Sequence, residues 1–382
     1  MSVVDLFMKL LSFESVTPDD AGSLAFIEAY LQGYEAHYAN KEGVKNLFLT
    51  KKFSEGPHLC FAGHVDVVPA GEGWETNPFI PVIKEGNIYA RGAQDMKSGV
   101  AAFVQAAKDT DGFKGRLSLL LTSDEEGDAK YGTVVMLEYL KQINLLPEYC
   151  VVAEPTCETV FGDAIKIGRR GSINGALVLK GKQGHAAYPE KAVNPIHQIS
   201  QVLNKIAGVN LDNGDEDFAP SKIVITDIRS GMEVTNVSPG TLKMMFNVRN
   251  STKTTQKEMR SYIENCFKGL DYELTLAQSA YPFVTSRDSL VVKKLFESIL
   301  SATGIKTKFS TAGGTSDARF IAAFDIDVVE FGVKNDTIHA PNERTSIKEI
   351  EGLYEVFRHM IVHFGRDLAW KQKTIKQQEG ER

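Results

Sequence analysis

Histidines and carboxylates that could bind metal ions follow several short apolar runs of this chain. The candidates are His64, Asp66, Asp95, Glu125, Glu126, Glu154 and His339. Two histidines with several acids, and no cysteine among them, form a nitrogen and oxygen donor set that suits Zn²⁺, Mn²⁺ or Co²⁺ in a catalytic site. One aspartate could bridge two ions held roughly 3.5–4 Å apart, with an activated water between them. The residue types therefore indicate hydrolytic metal chemistry.

Each of these features alone has a more ordinary explanation. A His-X-Asp pair on a strand is usually a buried histidine with its hydrogen-bonded acid, and the run "DEE" at 124–126 is usually a solvated loop. What gives the candidates weight is their shared position at the ends of predicted strands. At that position the candidate side chains could come together, whereas each one alone would be weak evidence for a metal site.

The elements that must position these residues alternate along the first part of the chain. Strands are predicted at 58–68, 116–123, 149–155 and 327–333, and helices at 98–109, 132–143 and 346–366. This alternation predicts an α/β fold with a mostly parallel sheet flanked by helices. In such sheets ligands bind beyond the carboxyl ends of the strands, so the candidates are expected to converge at one edge.

The pattern changes after about residue 170. Alternating strands with two helices, at 192–208 and 255–270, predict an inserted α+β domain of the ferredoxin-like kind. We therefore expect a discontinuous catalytic domain, 1–170 and 284–382, interrupted by a second domain at 171–283.

Composition limits the class of protein. The chain has 382 residues, of which 43% are hydrophobic and 24% charged, as in globular proteins. A net charge of −6 argues against nucleic-acid binding. The four cysteines form no CxxC pair and predict reduced thiols in a cytoplasmic protein. We expect neither a signal peptide nor a membrane span, and we expect a solvated, disordered tail at 371–382.

Longer motifs carry a resemblance to a known family. The segments "GHVDVVPAGEGW", "RGAQDMKSG", "TSDEEGDAKYGT", "AEPT" and "NDTIHAPNE" resemble those of the dinuclear zinc peptidase/deacylase family, and the similarity runs from about residue 3 to 366. It implies a cofactor of two zinc ions, with cobalt as a substitute. The implied ligands are Asp95 as the bridge, His64 and Glu154 at one ion, and Glu126 and His339 at the other.

The same resemblance implies roles for the remaining acids. Glu125 would be the general base that takes a proton from the bridging water and gives it to the leaving amine. Asp66 would orient His64, and the spacing agrees because residues i and i+2 share a face of a strand.

In the second domain, the resemblance implies that His185 and Asn236 donate hydrogen bonds to the reacting oxygen in a partner subunit's active site. The second domain would then be a dimerisation domain and the protein a homodimer. The candidates for binding substrate carboxylates, which guanidinium groups grip with two hydrogen bonds, are Arg169, Arg249, Thr315 and Arg319.

Within the family, "GRRGSINGALVLKGKQGHAAYP" and "TAGGTSDARF" are most similar to the branch that hydrolyses N-succinyl-L,L-2,6-diaminopimelate to succinate and L,L-2,6-diaminopimelate. The alternative is a related deacylase or carboxypeptidase, such as acetylornithine deacetylase, because the metal motifs are shared. A scaffold protein without catalysis is expected to lack a ligand or the base, and all are present. A nucleotide-binding oxidoreductase is disfavoured because "RGAQDMKSG" is not GxGxxG.

Overall fold

The computed structural model describes residues 1–364, so the predicted tail at 371–382 lies outside the described residues. The strands are β1 Glu35–Tyr38, β2 Asn46–Lys52, β3 His58–His64, β4 Val82–Lys84, β5 Asn87–Tyr89, β6 Arg116–Thr122, β7 Tyr149–Val152, β8 Ala164–Lys166, β9 Gly168–Arg169, β10 Ser172–Lys180, β11 Gly184–His185, β12 Lys222–Ser230, β13 Val237–Ser238, β14 Thr241–Arg249, β15 Tyr272–Ala280, β16 Phe283–Val284, β17 Lys308–Ser310, β18 Asp327–Glu330 and β19 Arg344–Ser346. The α-helices are α1 Val3–Leu11, α2 Ser23–Tyr30, α3 Lys97–Lys108, α4 Thr133–Gln142, α5 Pro195–Ser200, α6 Gln256–Cys266, α7 Leu290–Thr303, α8 Ala318–Ala322 and α9 Ile347–Phe364.

The chain forms two compact units. The first contains Met1–Gly168, Thr285–Ser310 and the described residues from Ser316 to Phe364, and the second contains Arg169–Val284 with Thr311–Thr315. The short segment Thr311–Thr315 groups with the second unit, although its place in the chain predicts the catalytic domain. Its hydrogen bonds explain the difference, because the Thr311 hydroxyl donates to the Asp217 carbonyl and the Arg169 guanidinium donates to the Ala312 carbonyl.

An eight-stranded sheet forms the centre of the first unit, with the strand order β1-β2-β6-β3-β7-β18-β8-β17. The central strands β6, β3, β7 and β18 are parallel neighbours, whereas β1 and β2 extend the sheet antiparallel. The predicted α/β fold with a mostly parallel central sheet is confirmed. The parallel neighbours bring four carboxyl ends to one edge of the sheet.

Burial explains why the central strands read as unbroken apolar runs. Every residue of β3 is buried, as expected for a strand covered on both faces. Helix α3 packs on β3 and against α1 and α9, while α4 packs against α8 and β2. Among residues 1–364, no helix is long and apolar enough to cross a membrane.

The second unit contains a four-stranded antiparallel sheet with the order β12-β14-β10-β15. Its elements follow one another as β10, α5, β12, β14, α6 and β15, which is the ferredoxin-like β-α-β-β-α-β succession. Apolar residues of α5 and α6, including Ile199, Met259 and Ile263, pack on one face of the sheet and form the core of this unit. The predicted α+β architecture is confirmed.

The helix predicted at 192–208 is much shorter in the structure. It begins at Pro195, after Asn194 has capped it by accepting a hydrogen bond from the Ile196 N–H (2.9 Å), and it ends at Ser200. The Ser200 hydroxyl donates to the His197 carbonyl (2.8 Å), a local bond of the kind that competes with helical structure. The apolar spacing that predicted a helix to residue 208 thus extends further along the chain than the α-helix, which ends at Ser200.

A buried histidine of the first unit makes its stability depend on pH. His58 begins β3, and its Nε2 lies 2.6 Å from the Ser118 hydroxyl. Burial, and secondarily the charge of Arg116, lowers the pKa of His58 to about 4 from 6.5. Because unfolded chains bind this proton more readily, the contribution is intact above pH 6.5 and is lost as the pH falls towards 4. The loss is about 3 kcal/mol at 1.36 kcal/mol per pKa unit.

We therefore expect His58→Gln to flatten the acid side of the stability curve. The measurement is urea unfolding of metal-free protein, in chelator, at several pH values between 6.5 and 4. The exposed His363 supplies the matched control, since His363→Gln should follow the wild-type curve. Equal slopes for wild type and His58→Gln would contradict this account.

Candidate active site

Four strand ends and one helix start carry the predicted ligands of the first unit. β3 ends at His64, β6 and β7 end shortly before Glu126 and Glu154, and His339 lies nine residues beyond the end of β18 at Glu330. Asp95 stands two residues before the start of α3. Because β6, β3, β7 and β18 are parallel neighbours, these side chains project from one edge of the sheet.

A glycine allows α3 to approach this edge closely. A Cβ atom at Gly99, in the first turn of α3, would collide with the carbonyl of Ala153 just beyond β7. Only glycine permits this approach without a shift of the helix. The contact brings Asp95, before the helix, towards Glu154, after the strand.

Asp95 lies between the two histidines. Its Oδ1 is 3.2 Å from His64 Nε2, and its Oδ2 is 3.3 Å from His339 Nε2. One carboxylate therefore reaches two imidazoles with its two oxygens, which is the arrangement that a bridging ligand requires.

Each histidine also has a carboxylate of its own. Glu154 Oε1 lies 3.8 Å from His64 Nε2, and Glu126 Oε1 lies 2.9 Å from His339 Nε2. The ligand atoms of His64, Asp95 and Glu126 all lie within 4.8 Å of one another. This set of nitrogen and oxygen donors fits a divalent metal ion, so the structure contains a candidate metal site.

Asp66 contacts both His64 and the acidic loop, but it meets His64 through its backbone carbonyl rather than through the predicted carboxylate. The nearest oxygen to His64 Nδ1 is the Asp66 carbonyl at 2.9 Å, while the Asp66 carboxylate is 3.6 Å away. That carboxylate accepts hydrogen bonds from the backbone N–H groups of Glu125 (3.4 Å) and Glu126 (3.1 Å). β3 ends at His64, so the shared strand face predicted for His64 and Asp66 does not extend to Asp66. Asp66 thus fixes both the imidazole and the acidic loop.

Burial and excess negative charge control protonation in the site. Burial raises the pKa values of Glu125 and Glu154 well above the ordinary glutamate value, and neighbouring carboxylates add to the shift. Hydrogen bonds with Asp95 and Glu126 raise the pKa of His339 to about 10. Burial opposes charge on His64, but the surrounding carboxylates outweigh it and raise its pKa. The site therefore favours positive charge at its centre, as a divalent cation supplies.

Residues 60–363 match the family described as Peptidase family M20/M25/M40. The chain belongs to this family. The resemblance in the sequence motifs is thereby confirmed, and the M20 match spans both compact units of the chain.

Individual M20 relatives agree with the match. A succinyl-diaminopimelate desuccinylase from Sulfurovum sp. (strain NBC37-1) is 73% identical over 364 residues, covering 95% of this chain and 99% of the relative. The crystal structure of aminopeptidase PepT from Bacillus cereus has a TM-score of 0.79 at 20% identity, covering 95% of this chain and 98% of PepT. The YXEP protein of Bacillus subtilis, described as a dinuclear metal-binding peptidase from the M20 family, has a TM-score of 0.69 at 14% identity and covers 95% of this chain and 98% of its own. Both solved structures share the fold.

The second unit carries the predicted oxyanion donors. His185 ends β11 and pairs with Val237 of β13, and the Ala186 N–H donates to the Asn236 carbonyl at 2.9 Å. The structure therefore places Asn236, directly before β13, next to the end of β11 that carries His185. His185 is exposed and lines a cavity of about 400 Å³ together with Asn194.

The predicted substrate-binding residues lie in different parts of the chain. In the second unit, the buried Arg169 donates to the Ala312 carbonyl (3.2 Å), which belongs to the same segment as Thr315, and Arg249 is exposed at the end of β14. In the first unit, Arg319 lies on α8 with its guanidinium over the Phe320 ring, 4.5 Å from the centroid. The role of each in binding substrate stays a prediction.

Two acids near the site had no predicted role. Asp124, only 4% exposed, accepts a hydrogen bond from the Tyr131 N–H (3.1 Å) and closes the loop that carries Glu125. Asp317 accepts from the Thr133 hydroxyl (2.7 Å), and burial raises its pKa to about 6. Both acids lie within the motifs "TSDEEG" and "GGTSDARF". The sequence does not reveal which backbone or side-chain group donates a hydrogen bond to each of them.

Proposed function

We propose that this chain hydrolyses the amide bond of N-succinyl-L,L-2,6-diaminopimelate, a reaction that supplies precursors of lysine and peptidoglycan. The products are succinate and L,L-2,6-diaminopimelate. The observation that carries the proposal is the bridging position of Asp95 between two histidines, in a chain 73% identical to a desuccinylase over nearly its full length. That identity favours this substrate over those of sibling deacylases such as acetylornithine deacetylase.

Two zinc ions, with cobalt as a substitute, suit the donor set of the site. Asp95 would hold both ions, His64 and Glu154 would complete one set of ligands, and Glu126 and His339 the other. Such ions, when bound, polarise an amide carbonyl and lower the pKa of water. The description of an M20 relative as a dinuclear metal-binding peptidase supports this proposal.

Glu125 is the proposed general base. Its Oε2 lies 4.0 Å from His64 Nε2, so its carboxyl faces the same centre as the proposed ligands. As the water oxygen attacks the amide carbon, Glu125 takes a proton from that water. It then gives the proton to the leaving nitrogen as the C–N bond breaks. A carboxylate within reach of the attacking water is a suitable group to accept and then release a proton.

The arginines are proposed to select the succinyl group. An N-succinyl substrate carries a terminal carboxylate that an N-acetyl substrate lacks, and guanidinium groups bind carboxylates with two parallel hydrogen bonds. Arg169, Arg249 and Arg319, with the hydroxyl of Thr315, are the proposed contacts. A site that pairs buried polar groups with a substrate strongly rejects an analogue without them.

A substrate panel on zinc-loaded protein tests this function. We expect kcat/KM for N-succinyl-L,L-diaminopimelate to exceed that for N-acetyl-L-ornithine by about 10³-fold or more. Arg249→Met should reduce this preference, whereas Arg358→Met, on the outer surface of α9, should leave it unchanged. Equal or faster hydrolysis of N-acetylornithine would assign the chain to the sibling deacylases instead.

The second unit is proposed to form a homodimer. Its sheet ends in the edge strand β12, and the apolar side chains of Val224, Ile228 and Met245 are 41–54% exposed. An edge strand with exposed apolar residues favours association with a second copy. In the dimer, His185 and Asn236 would donate hydrogen bonds to the reacting oxygen in the partner's site, a contribution of about 10²–10³ in rate.

Mixed dimers test that arrangement directly. His185→Ala and Glu125→Gln homodimers should each be nearly inactive. If His185 acts on the partner's site, exchange of subunits creates dimers with one complete site, and about a quarter of wild-type turnover should return for random pairing in a two-fold dimer. No recovery, with subunit exchange shown by native mass spectrometry, would place His185 in its own subunit's site, and a fully active His185→Ala homodimer would remove its role.

The proposed reaction belongs in the cytoplasm. All four cysteines are free, and Cys60, Cys150 and Cys157 are buried, as is common in a reducing compartment. Cell fractionation followed by detection of the native chain tests this location, and recovery outside the cytoplasmic fraction would contradict it.

A further inference from the structure

A buried ion pair lies directly behind the proposed metal ligands. Arg91 is 2% exposed and Glu343 is 0% exposed, and Arg91 NH1 donates to Glu343 Oε2 at 2.7 Å. A buried ion pair of this kind is weak evidence for stability, because the desolvation of two charges offsets much of their attraction. Its other contacts indicate what it does.

The Glu343 carboxylate holds the backbone that leads into Asp95. Its Oε1 accepts hydrogen bonds from the N–H groups of Gln94 (2.7 Å) and Asp95 (3.1 Å), and its Oε2 accepts from the Gly92 N–H (3.1 Å). Three backbone N–H groups within residues 92–95 therefore donate to one carboxylate. The position of the Asp95 backbone is fixed by a residue far away in the sequence.

The Arg91 guanidinium holds the backbone of the other ligand loop. It donates to the carbonyls of His339 (3.3 Å) and Ala340 (3.3 Å), and to that of Ala70 (3.0 Å) beyond β3. His339 has a backbone φ of 60°, in the left-handed region that non-glycine residues rarely adopt. Such a conformation persists where surrounding contacts enforce it, and the bonds from Arg91 are such contacts.

We propose that Arg91 and Glu343 are positioning residues that set the distance between Asp95 and His339. The pair joins the loop that carries Asp95 to the loop that carries His339. Both loops are therefore held in position, with the Asp95 carboxylate next to His339, before a metal ion binds. This inference rests on the proposed role of Asp95 and His339 as metal ligands. Groups that orient metal ligands typically contribute 10–100-fold to metal affinity.

Conservative variants separate the two halves of the pair. In Glu343→Gln, the amide NH₂ would face N–H donors of Arg91 or of the loop, so the Asp95 segment loosens and we expect zinc affinity to fall at least about 10-fold. Arg91→Lys keeps the charge but loses the planar fork that reaches several carbonyls, so the His339 loop loosens. We expect Arg91→Lys to weaken binding of the zinc ion proposed at His339 more than of the one proposed at His64. Leu353→Ala, at a buried position of α9, is the control for general destabilisation.

Two readouts test the proposal without any substrate. Calorimetric titration of the metal-free variants with zinc should show the affinity losses, and amide hydrogen exchange should be faster at Gln94 and Asp95 in Glu343→Gln. Leu353→Ala should lower the melting temperature while keeping zinc affinity. The proposal is overturned if folded Glu343→Gln and Arg91→Lys bind zinc within twofold of wild type, or if Leu353→Ala loses as much affinity. Failure of the substrate assignment alone would leave these results unchanged.

Discussion

Glu125→Gln is expected to lower kcat about 10²–10⁴-fold, the range that a positioned general acid–base supplies. Glutamine keeps the size of the side chain but cannot accept a proton from water at neutral pH. Because Glu125 is the proposed base and Glu126 a proposed ligand, zinc content should stay near that of the wild type. Rapid-quench kinetics with the succinylated substrate and elemental analysis of the same samples measure both quantities.

The acidic loop offers a matched control for this variant. Asp128 lies in the same loop, is 76% exposed and pairs only with Lys130 among the described ion pairs. Asp128→Asn therefore removes one negative charge from the loop without touching the buried acids, and it should retain full turnover. Wild-type kcat in a zinc-loaded Glu125→Gln variant would remove Glu125 from the mechanism. Loss of zinc together with activity would make Glu125 a ligand instead.

Sequence reasoning found the framework of the site because that framework depends on local patterns. The runs at β3, β6, β7 and β18 are apolar because these strands are buried, and their alternation with helices makes parallel pairing the favoured arrangement. Parallel pairing then places the following polar residues at one edge. For this reason His64, Glu125, Glu154 and His339 could be grouped without knowing the strand order.

The supporting contacts were not accessible in the same way. The Arg91–Glu343 pair joins residues 252 positions apart, and no spacing or composition signal marks such a contact. Asp124 could be seen as the first of three adjacent acids, but its bond to the Tyr131 N–H depends on the path of the intervening loop. The end of α5 at Ser200 is likewise not marked by the apolar periodicity, which continues past it.

A physical distinction follows from this contrast. Periodic burial determines which side chains reach the sheet edge, and these are the groups proposed for chemistry. Single long-range hydrogen bonds determine how exactly the groups are placed once they are there. His64 gives another example of such placement. The oxygen nearest to its Nδ1 is the Asp66 carbonyl rather than the Asp66 carboxylate, and this depends on where β3 ends.

Asp95→Asn is expected to have the largest effect on metal binding of any single substitution in the site. Asparagine has the same shape but no negative charge, and its NH₂ group would face one of the two histidine nitrogens that lie 3.2 and 3.3 Å from the carboxylate. An NH₂ group cannot serve as a metal ligand. We therefore expect both proposed zinc sites to weaken and hydrolysis to fall below about 10⁻³ of the wild-type rate, as the ions supply several kcal/mol of transition-state stabilisation.

Two further variants distinguish a shared ligand from an ordinary one. Glu126→Gln and Glu154→Gln each remove a carboxylate that approaches only one histidine among the described ion pairs. Each should therefore weaken one zinc site and spare the other in a calorimetric titration, with circular dichroism confirming the fold. If Asp95→Asn lost no more zinc than either glutamate variant, the two histidines would belong to independent sites. Among the described ion pairs, only Asp95 contacts both His64 and His339, and it does so through separate oxygens, so the loss in Asp95→Asn should instead exceed that of either glutamate variant.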